Sequence, residues 1–290
     1  MAARIERYVD LHLHTIASDG TLTPEQLVDY SSSKGYRAIA VTDHDAWDSI
    51  GAAAALGSRV GLEVIPGIEL STNLDDREIH VLGYFIDHND RVFQAKIAHF
   101  KQARVERAHR IVEKLSAMGV RVEIKRVLQI AGGGSVGRPH VARALQELGY
   151  VGSVDEAFSR YIGAGCPAYV GKDFLTPGES FALIHDAGGL AFFAHPGIEG
   201  ADDLINGFIA GGLDGIEVWH SKHTPAQVRH YQEFAAQRRL LVSGGSDFHG
   251  DGLGSNASRN PVKIPYEVVE RMIERLSEAT LRKWNQSEIE

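Results

Sequence analysis

Cysteine is all but missing: Cys166 is the single one in 290 residues. That excludes an internal disulfide and a zinc site built on thiolates. Long apolar runs are missing as well. No stretch approaches the roughly 18 uncharged apolar residues of a membrane-spanning helix. The opening MAARIERYVDLHLH lacks the apolar centre of a secretory signal. Positive charge is in deficit, with 30 Lys and Arg against 38 Asp and Glu and a net charge of −8. Such a balance argues against a protein that coats nucleic acid. What remains is a globular composition, 43% hydrophobic and 23% charged. The expectation is a cytoplasmic chain with no membrane contact and no stable DNA partner, long enough for one large α/β domain.

The charge is unevenly spread. Between Lys96 and Arg143 lie eleven Lys and Arg against three Glu, so this stretch carries +8 and the remainder −16. A basic segment on an acidic body fits capture of an anionic ligand beside a site that holds cations, and equally a solvated helix face.

β-like runs at 8–12, 38–42, 63–70, 79–85, 190–194, 215–219 and 240–243 alternate with helical patterns at 24–34, 177–187, 202–210 and 225–238. Thr23-Pro24, Thr176-Pro177 and Thr224-Pro225 open three of these helices, Thr as N-cap and Pro in the first turn. Strand–helix alternation predicts a parallel sheet, closed or doubly wound. It breaks between about 92 and 169, where helical patterns at 92–118, 123–131, 138–148 and 154–161 read as an insertion. The expected division is a barrel of residues 1–91 and 170–290 with a helical cap of 92–169.

Fourteen histidines are the remaining signal. The first strand ends in Asp10-Leu-His12-Leu-His14, and positions i and i+2 of a strand face one side, so both imidazoles can reach one ion. Six further pieces fall at strand ends: Asp19, His44 in Thr-Asp-His-Asp, Glu69 in Pro-Gly-Ile-Glu, His80, His195 in Ala-His-Pro, and Asp247 with His249 in Ser-Asp-Phe-His. His80 is the exception, preceding the apolar part of its strand. Each has a bland reading alone, as cap, turn or satisfied core residue. Together they lie where barrels and open sheets build active sites. Nitrogen and carboxylate without thiolate suit Mn²⁺, Zn²⁺ or Fe²⁺ better than Ca²⁺ or Mg²⁺. Nine donors suffice for two or three ions, with Glu69 a natural bridge. Clustered ions activate water near neutral pH and neutralise a phosphoryl group during in-line displacement.

The motifs Asp10-x-His-x-His14, Thr42-Asp-His-Asp45, Gly67-Ile-Glu69, Ala194-His195-Pro196 and Ser246-Asp-x-His249 resemble, in order, those of the polymerase and histidinol phosphatase (PHP) family. The resemblance implies a distorted (β/α)7 TIM-like barrel with a helical insertion and a two- or three-metal phosphoesterase site, Mn²⁺ first among the candidates. It implies one ion on His12, His14, Glu69 and Asp247, a second on Glu69, His80 and His195, and a third on Asp19, His44 and His249. Many relatives carry a histidine where Asp19 stands, which leaves the third site the least defined. Ser18-Asp19-Gly20-Thr21 and the helical insertion resemble the PHP phosphatases that remove the 3′-phosphate of nucleoside 3′,5′-bisphosphates, with relatives that trim short RNA from its 5′ end.

Substrate contacts are expected from the glycine-rich loop at 132–137 and its surroundings. Arg138 is placed to grip a phosphate bidentately, with Ser135 and His140 beside it, although the loop also reads as a plain joint between helices. His220 and His223 follow a strand end, and His223 is the candidate proton donor to the leaving oxygen. Lys172 is a further substrate candidate. Asp10, Asp43 and Asp45 are candidates for orienting the ligand histidines. The expected reaction is hydrolysis of a nucleotide phosphomonoester by a metal-activated water, with Arg138 stabilising developing charge. A 5′–3′ exoribonuclease, a histidinol-phosphate phosphatase, an amidohydrolase and a non-catalytic metal-binding module are the alternatives.

Overall fold

A computed structural model describes residues 7–75, 77–171, 175–250, 262–278 and 280–281. Strands β1 (Tyr8–Leu13), β2 (Ala38–Val41) and β3 (Glu63–Leu74) are parallel, joined by helices α1 (Pro24–Ser33) and α2 (Ile50–Val60). β4 (Arg77–Tyr84) pairs antiparallel with β3 on one side and with β5 (Leu190–Phe193) on the other. β6 (Gly215–His220) and β7 (Leu241–Gly245) continue parallel to β5. Thus the sheet is mixed where the sequence predicts parallel strands throughout: β3 and β4 form a hairpin with no crossover helix between them.

The sheet nearly closes on itself. The Asp247 amide donates to the His12 carbonyl at 3.0 Å and the His14 amide to the Phe248 carbonyl at 3.0 Å, joining the end of β1 to the chain after β7. The contact requires glycine at 245, since a Cβ there would lie 2.2 Å from His12 Cβ. At the other half of β1, short β8 (Ile264–Pro265) pairs antiparallel with Tyr8 and Val9. The result is the distorted TIM-like barrel expected, with β4 and short β8 reversed.

Alternation along β2 sorts the core. Ala38 and Ala40 join Leu11, Ile65, Leu82, Tyr84 and Phe192, with Val268, Val269 and Met272 of α11 (Glu267–Arg275) packed against them. Ile39 and Val41 face the other way, onto Leu27 and Val28 of α1 and Ala53 of α2. Each fully buried Leu, Ile, Val or Phe among these contributes about 1.5–3 kcal/mol relative to exposure. Helices α7 (Pro177–Asp186), α8 (Pro196–Glu199), α9 (Ile205–Ala210) and α10 (Pro225–Arg238) complete the barrel. The three Thr-Pro starts behave as expected: Thr23, Thr176 and Thr224 each accept from the third helical amide, and Gln26, Glu179 and Gln227 reach back to the cap.

Between β4 and α7 run α3 (Arg91–Ala117), α4 (Ile124–Ala131), α5 (Arg138–Glu147) and α6 (Val154–Ala157), the last continuing into a π turn at Phe158–Ile162. They enclose a cluster of their own that includes Ile111, Leu115, Val127, Val141, Leu145 and Ile162. Among the described residues no helix is long and apolar enough to cross a membrane.

Candidate metal centre

All nine sequence-selected donors meet at one end of the barrel. Parallel strands deliver His12, His14 and His195 at or just beyond their C-terminal ends, and Glu69 from the middle of long β3, just past the part that pairs with β2. His80 comes from the first half of β4, and the reversal of that strand explains its position: antiparallel to its neighbours, β4 begins at the end where they finish. The reversed strand therefore contributes its beginning to the site.

Glu69 sits at the centre, 1% exposed. Its Oε2 lies 3.1 Å from His12 Nε2, 3.2 Å from His14 Nε2 and 3.1 Å from His44 Nδ1. Its Oε1 lies 3.0 Å from His80 Nδ1 and 3.0 Å from His195 Nε2. One carboxylate thus faces two separate groups of imidazoles. Asp247 Oδ1 approaches His12 and His14 at 3.5 and 3.3 Å. Asp19 Oδ1 lies 3.2 Å from His249 Nε2, and Asp19 Oδ2 lies 3.9 Å from His44 Nε2.

His12 and His195 hydrogen-bond Glu69, but other atoms of the cluster crowd together without being satisfied. Both ring nitrogens of His14 and Nδ1 of His44 are buried and make no hydrogen bond, although carboxylate oxygens lie within 3.3 Å of His14 Nε2 and 3.1 Å of His44 Nδ1. Buried polar atoms are ordinarily bonded, so unbonded donors aimed at common points fit cations. Among the described residues five donor groups lie within 4.8 Å spans: His12, His14, Glu69 and Asp247; His14, Asp19, His44 and His249; His12, Glu217 and His220; His44, Glu69 and His80; and His80, His195 and Glu199. The donors expected for the second ion thus divide between the last two. Electrostatics agree. Burial opposes charge on His14, yet Asp247, Glu69 and Asp19 push it up to about 10. Burial would raise Glu69, but His44, His12 and His80 hold it well below the ordinary carboxylate range. Buried carboxylates packed this closely are charge that a divalent cation would neutralise.

Among the described residues, three of the six non-glycine residues with positive φ lie here. Asp45, His195 and Asp247 hold φ values of 45°, 29° and 54°, in the left-handed region where side chains with a Cβ are disfavoured. Hydrogen bonds fix these turns: Asp45 accepts from the Ser71 amide at 3.0 Å and Arg104 Nε at 2.6 Å, and the His195 amide donates to Glu217 at 2.7 Å.

Three carboxylates that sequence reasoning missed face the outer nitrogens of the imidazoles. Glu217 lies 3.0 Å from His12 Nδ1, Glu78 lies 3.2 Å from His80 Nε2, and Glu199 lies 3.2 Å from His195 Nδ1. The expected orienters act otherwise. Asp10 accepts from the Ser246 amide at 2.9 Å, and Asp43 binds the Thr15 amide, Thr15 Oγ1 and Ser18 Oγ, each at 2.7 Å. With Asp45 they brace the backbone of the ligand-bearing loops rather than the rings.

The substrate candidates divide. Arg138 starts α5 beside the His80 end of the cluster, with its guanidinium 2.7 Å from Glu78 and over the rings of Phe158 and Tyr169. Ser135 packs on the Asp19 loop, its amide donating to the Ala17 carbonyl at 2.7 Å, and its buried hydroxyl has no hydrogen-bond partner. Gly134 has to be glycine there, because a Cβ would lie 2.5 Å from the Ile16 carbonyl oxygen. His140 accepts the Gly137 amide at Nδ1 (2.9 Å), which puts its proton on Nε2. His220 accepts the Lys222 amide at Nδ1 and turns Nε2 towards Asp247 Oδ2 at 3.4 Å, so it contacts a metal-donor residue and not open space. The structure corrects the proton-donor role expected of His223: Nδ1 donates to the Val218 carbonyl at 2.9 Å and Nε2 accepts the Gly197 amide at 3.2 Å, which leaves no proton for a leaving group. Lys172 lies outside the described residues.

Comparison with known proteins accords with this geometry. Residues 10–146 match the PHP domain. Over 247 residues the chain is 35% identical to the 5′-3′ exoribonuclease Rnm of Escherichia coli, covering 83% of this chain and 84% of that one. It is 31% identical over 263 residues to the 3′,5′-nucleoside bisphosphate phosphatase of Chromobacterium violaceum, covering 89% and 92%. The crystal structure of a protein from Bifidobacterium adolescentis, described as a metal-dependent phosphoesterase, superposes with a TM-score of 0.84 at 30% identity, covering 94% of this chain and 97% of that one. With a barrel, a convergent His/Asp/Glu cluster and relatives of this extent in agreement, the chain belongs to the PHP family of metal-dependent phosphoesterases.

Proposed function

We propose that the chain removes the 3′-phosphate from nucleoside 3′,5′-bisphosphates, leaving nucleoside 5′-monophosphate and phosphate. The observation that carries this reading is the place of Arg138. It lines a cavity of about 390 Å³ with Arg77, Glu78, His80, Tyr169 and Glu199, so a guanidinium stands directly beside the metal-donor cluster. A substrate with two phosphates fits such a pair of neighbours, one phosphate at the cluster and the other on Arg138. The guanidinium lies over the rings of Phe158 and Tyr169 at 5.2 and 5.7 Å and pairs with Glu78 at 2.7 Å, a carboxylate that a phosphate would displace for bidentate contact.

The donor sets are His12, His14, Glu69 and Asp247; Glu69, His80 and His195; and Asp19, His44 and His249. They suit two or three ions, Mn²⁺ foremost, with Zn²⁺ or Fe²⁺ as alternatives. Bound there, divalent ions lower the pKa of water and neutralise phosphoryl oxygens. The chain's own residues do the rest. His140 offers an N–H and Ser135 a hydroxyl towards phosphate oxygens at the wall formed by the glycine-rich loop. The helices of 92–169 form a cap over a barrel of 1–91 and 170–290. The single cysteine and a nucleotide substrate fit a cytoplasmic enzyme.

A second reading is favoured by the Escherichia coli relative: trimming of short 5′-phosphorylated RNA. The chemistry is common to both. Water forms a bond to phosphorus, the P–O3′ bond breaks, and the 3′ oxygen leaves with a proton. The phosphorus carries either no further group or the remaining chain. Phosphate release from adenosine 3′,5′-bisphosphate by the Mn²⁺-loaded protein tests the first reading, with histidinol phosphate and a 5′-phosphorylated tetranucleotide alongside. 5′-AMP and phosphate from the bisphosphate support it; mononucleotides from the oligomer support the second. Turnover of histidinol phosphate alone, or of none of the three with metal bound, overturns both.

A further inference from the structure

We infer that Glu217 is a positioning residue that ties the two metal-donor groups on either side of Glu69 to a single carboxylate, so that they fill and empty together. The inference rests on the metal reading above and extends it to a residue that makes no contact with substrate. Glu217 stands in the middle of β6, fully buried, with Ile216 and Val218 on either side. Its two oxygens do different work. Oε1 lies 3.0 Å from His12 Nδ1, and Oε2 accepts the His195 amide at 2.7 Å.

The first contact decides a tautomer. With its Nδ1 proton given to Glu217, His12 keeps Nε2 bare, and that nitrogen is the one 3.1 Å from Glu69 Oε2 and 3.5 Å from Asp247 Oδ1. The second contact holds a strained turn. His195 has φ 29°, and the hydrogen bond its backbone amide donates to Glu217 keeps it there, with Nε2 3.0 Å from Glu69 Oε1. His12 serves the Oε2 side of Glu69 and His195 the Oε1 side. Glu78 and Glu199, by contrast, touch the outer nitrogen of one histidine each. A carboxylate is needed at 217 because both neighbours are donors. Glutamine has one acceptor oxygen, so its amide group would face an N–H and push His12 towards the other tautomer.

Calorimetric titration of metal-stripped protein with Mn²⁺, with bound metal counted by elemental analysis, tests this. Glu217→Gln should weaken two ions together, each by about 10- to 100-fold as outer partners of metal ligands do. Glu199→Gln, whose carboxylate lies 3.2 Å from His195 Nδ1 and groups with His80 and His195 on the Oε1 side of Glu69, should weaken one. Circular dichroism of the metal-free proteins checks that both variants fold; should Glu217→Gln fail to, Glu217→Asp, too short to reach both donors, carries the same comparison. Unchanged Mn²⁺ affinity, or loss of one ion alone, overturns the inference. Absence of Mn²⁺ binding by the unmutated protein would instead overturn the metal reading beneath it.

Discussion

Glu69 presents its two oxygens to different neighbours, three imidazoles on one side and two on the other. Replacing it by glutamine keeps the volume but removes the charge and one acceptor. Outer partners of metal ligands already cost about 10- to 100-fold in affinity or activity when lost. A residue shared between donor groups must exceed the upper end of that range. Glu69→Gln is therefore expected to lower phosphoesterase kcat by more than about 100-fold and to reduce bound Mn²⁺ in the same preparation; retained activity with full metal content would refute the bridging role. Arg138 answers to another measurement. Lysine keeps the charge and loses the fork, which matters at a bidentate site. Loss of one charge-assisted hydrogen bond, about 1.5–3 kcal/mol, predicts that Arg138→Lys raises KM for a 3′,5′-bisphosphate by roughly 10-fold or more with kcat little changed. An equal KM would remove Arg138 from the phosphate contact. The nine converging side chains were legible in the sequence because most sit in short motifs that follow an apolar run; His80, early in β4, lacked that mark. Glu78, Glu199 and Glu217 were not, since their significance arises only when distant strands meet. Glu217 had one local mark, a charge within an apolar strand.

Elements were legible where their signals are local. The Thr-Pro starts specify both the cap and the first turn, and α10 runs from Pro225 to Arg238 as its pattern predicts. The α2 helix had no such signal: Gly-Ala-Ala-Ala-Ala-Leu-Gly has no amphipathic period, and its N-cap Ser49 makes no side-chain capping bond. Strand direction was illegible for a different reason. A run such as β4 has the same alternation whichever way it is paired, and only the short turn between Leu74 and Arg77 reveals the hairpin. Among the connections, the end of α7 offers a test outside the metal centre. His185, in its last turn, lies 2.7 Å from Asp214 Oδ2, which also accepts the Ala191 amide at 2.8 Å. The hydrogen bond to Asp214 raises the His185 pKa above 6.5 against a smaller opposing effect of burial. A raised folded value means that stability is fully present below the unfolded pKa and is lost as pH climbs through the folded one. Thermal melts should then show His185→Gln less stable than the parent at about pH 5.5, with the gap narrowing by about pH 8.5. A gap of the same size at both would mean the pair contributes nothing through charge.

Across the whole molecule, the uneven charge noted in the sequence has a structural use. The basic stretch does not simply face solvent. Lys96 approaches Asp186 at 4.0 Å, Lys101 pairs with Asp48, Arg104 with Asp45 at 2.5 Å and Arg138 with Glu78 at 2.7 Å. In each pair the cation lies on α3 or α5 and the anion on the barrel, so the excess of one fastens to the excess of the other. The four are unequal. Lys96 and Lys101 meet partners that are more than half exposed, where pairing is worth up to about 1 kcal/mol and salt screens it. Arg104 is 4% exposed and makes further bonds to Ser71 Oγ at 2.8 Å and the Val136 carbonyl at 3.4 Å. Removing it would leave Asp45 charged and buried in its strained turn, a loss of about 3–5 kcal/mol. Urea unfolding at low and at high salt should separate the two kinds of pair. Arg104→Ala is expected to lose several kcal/mol in both conditions, and Lys96→Ala or Lys101→Ala under about 1 kcal/mol, vanishing in salt. If Arg104→Ala cost no more than the lysines, the helices would be held to the barrel by apolar packing alone, and the charge asymmetry would have no role in joining them.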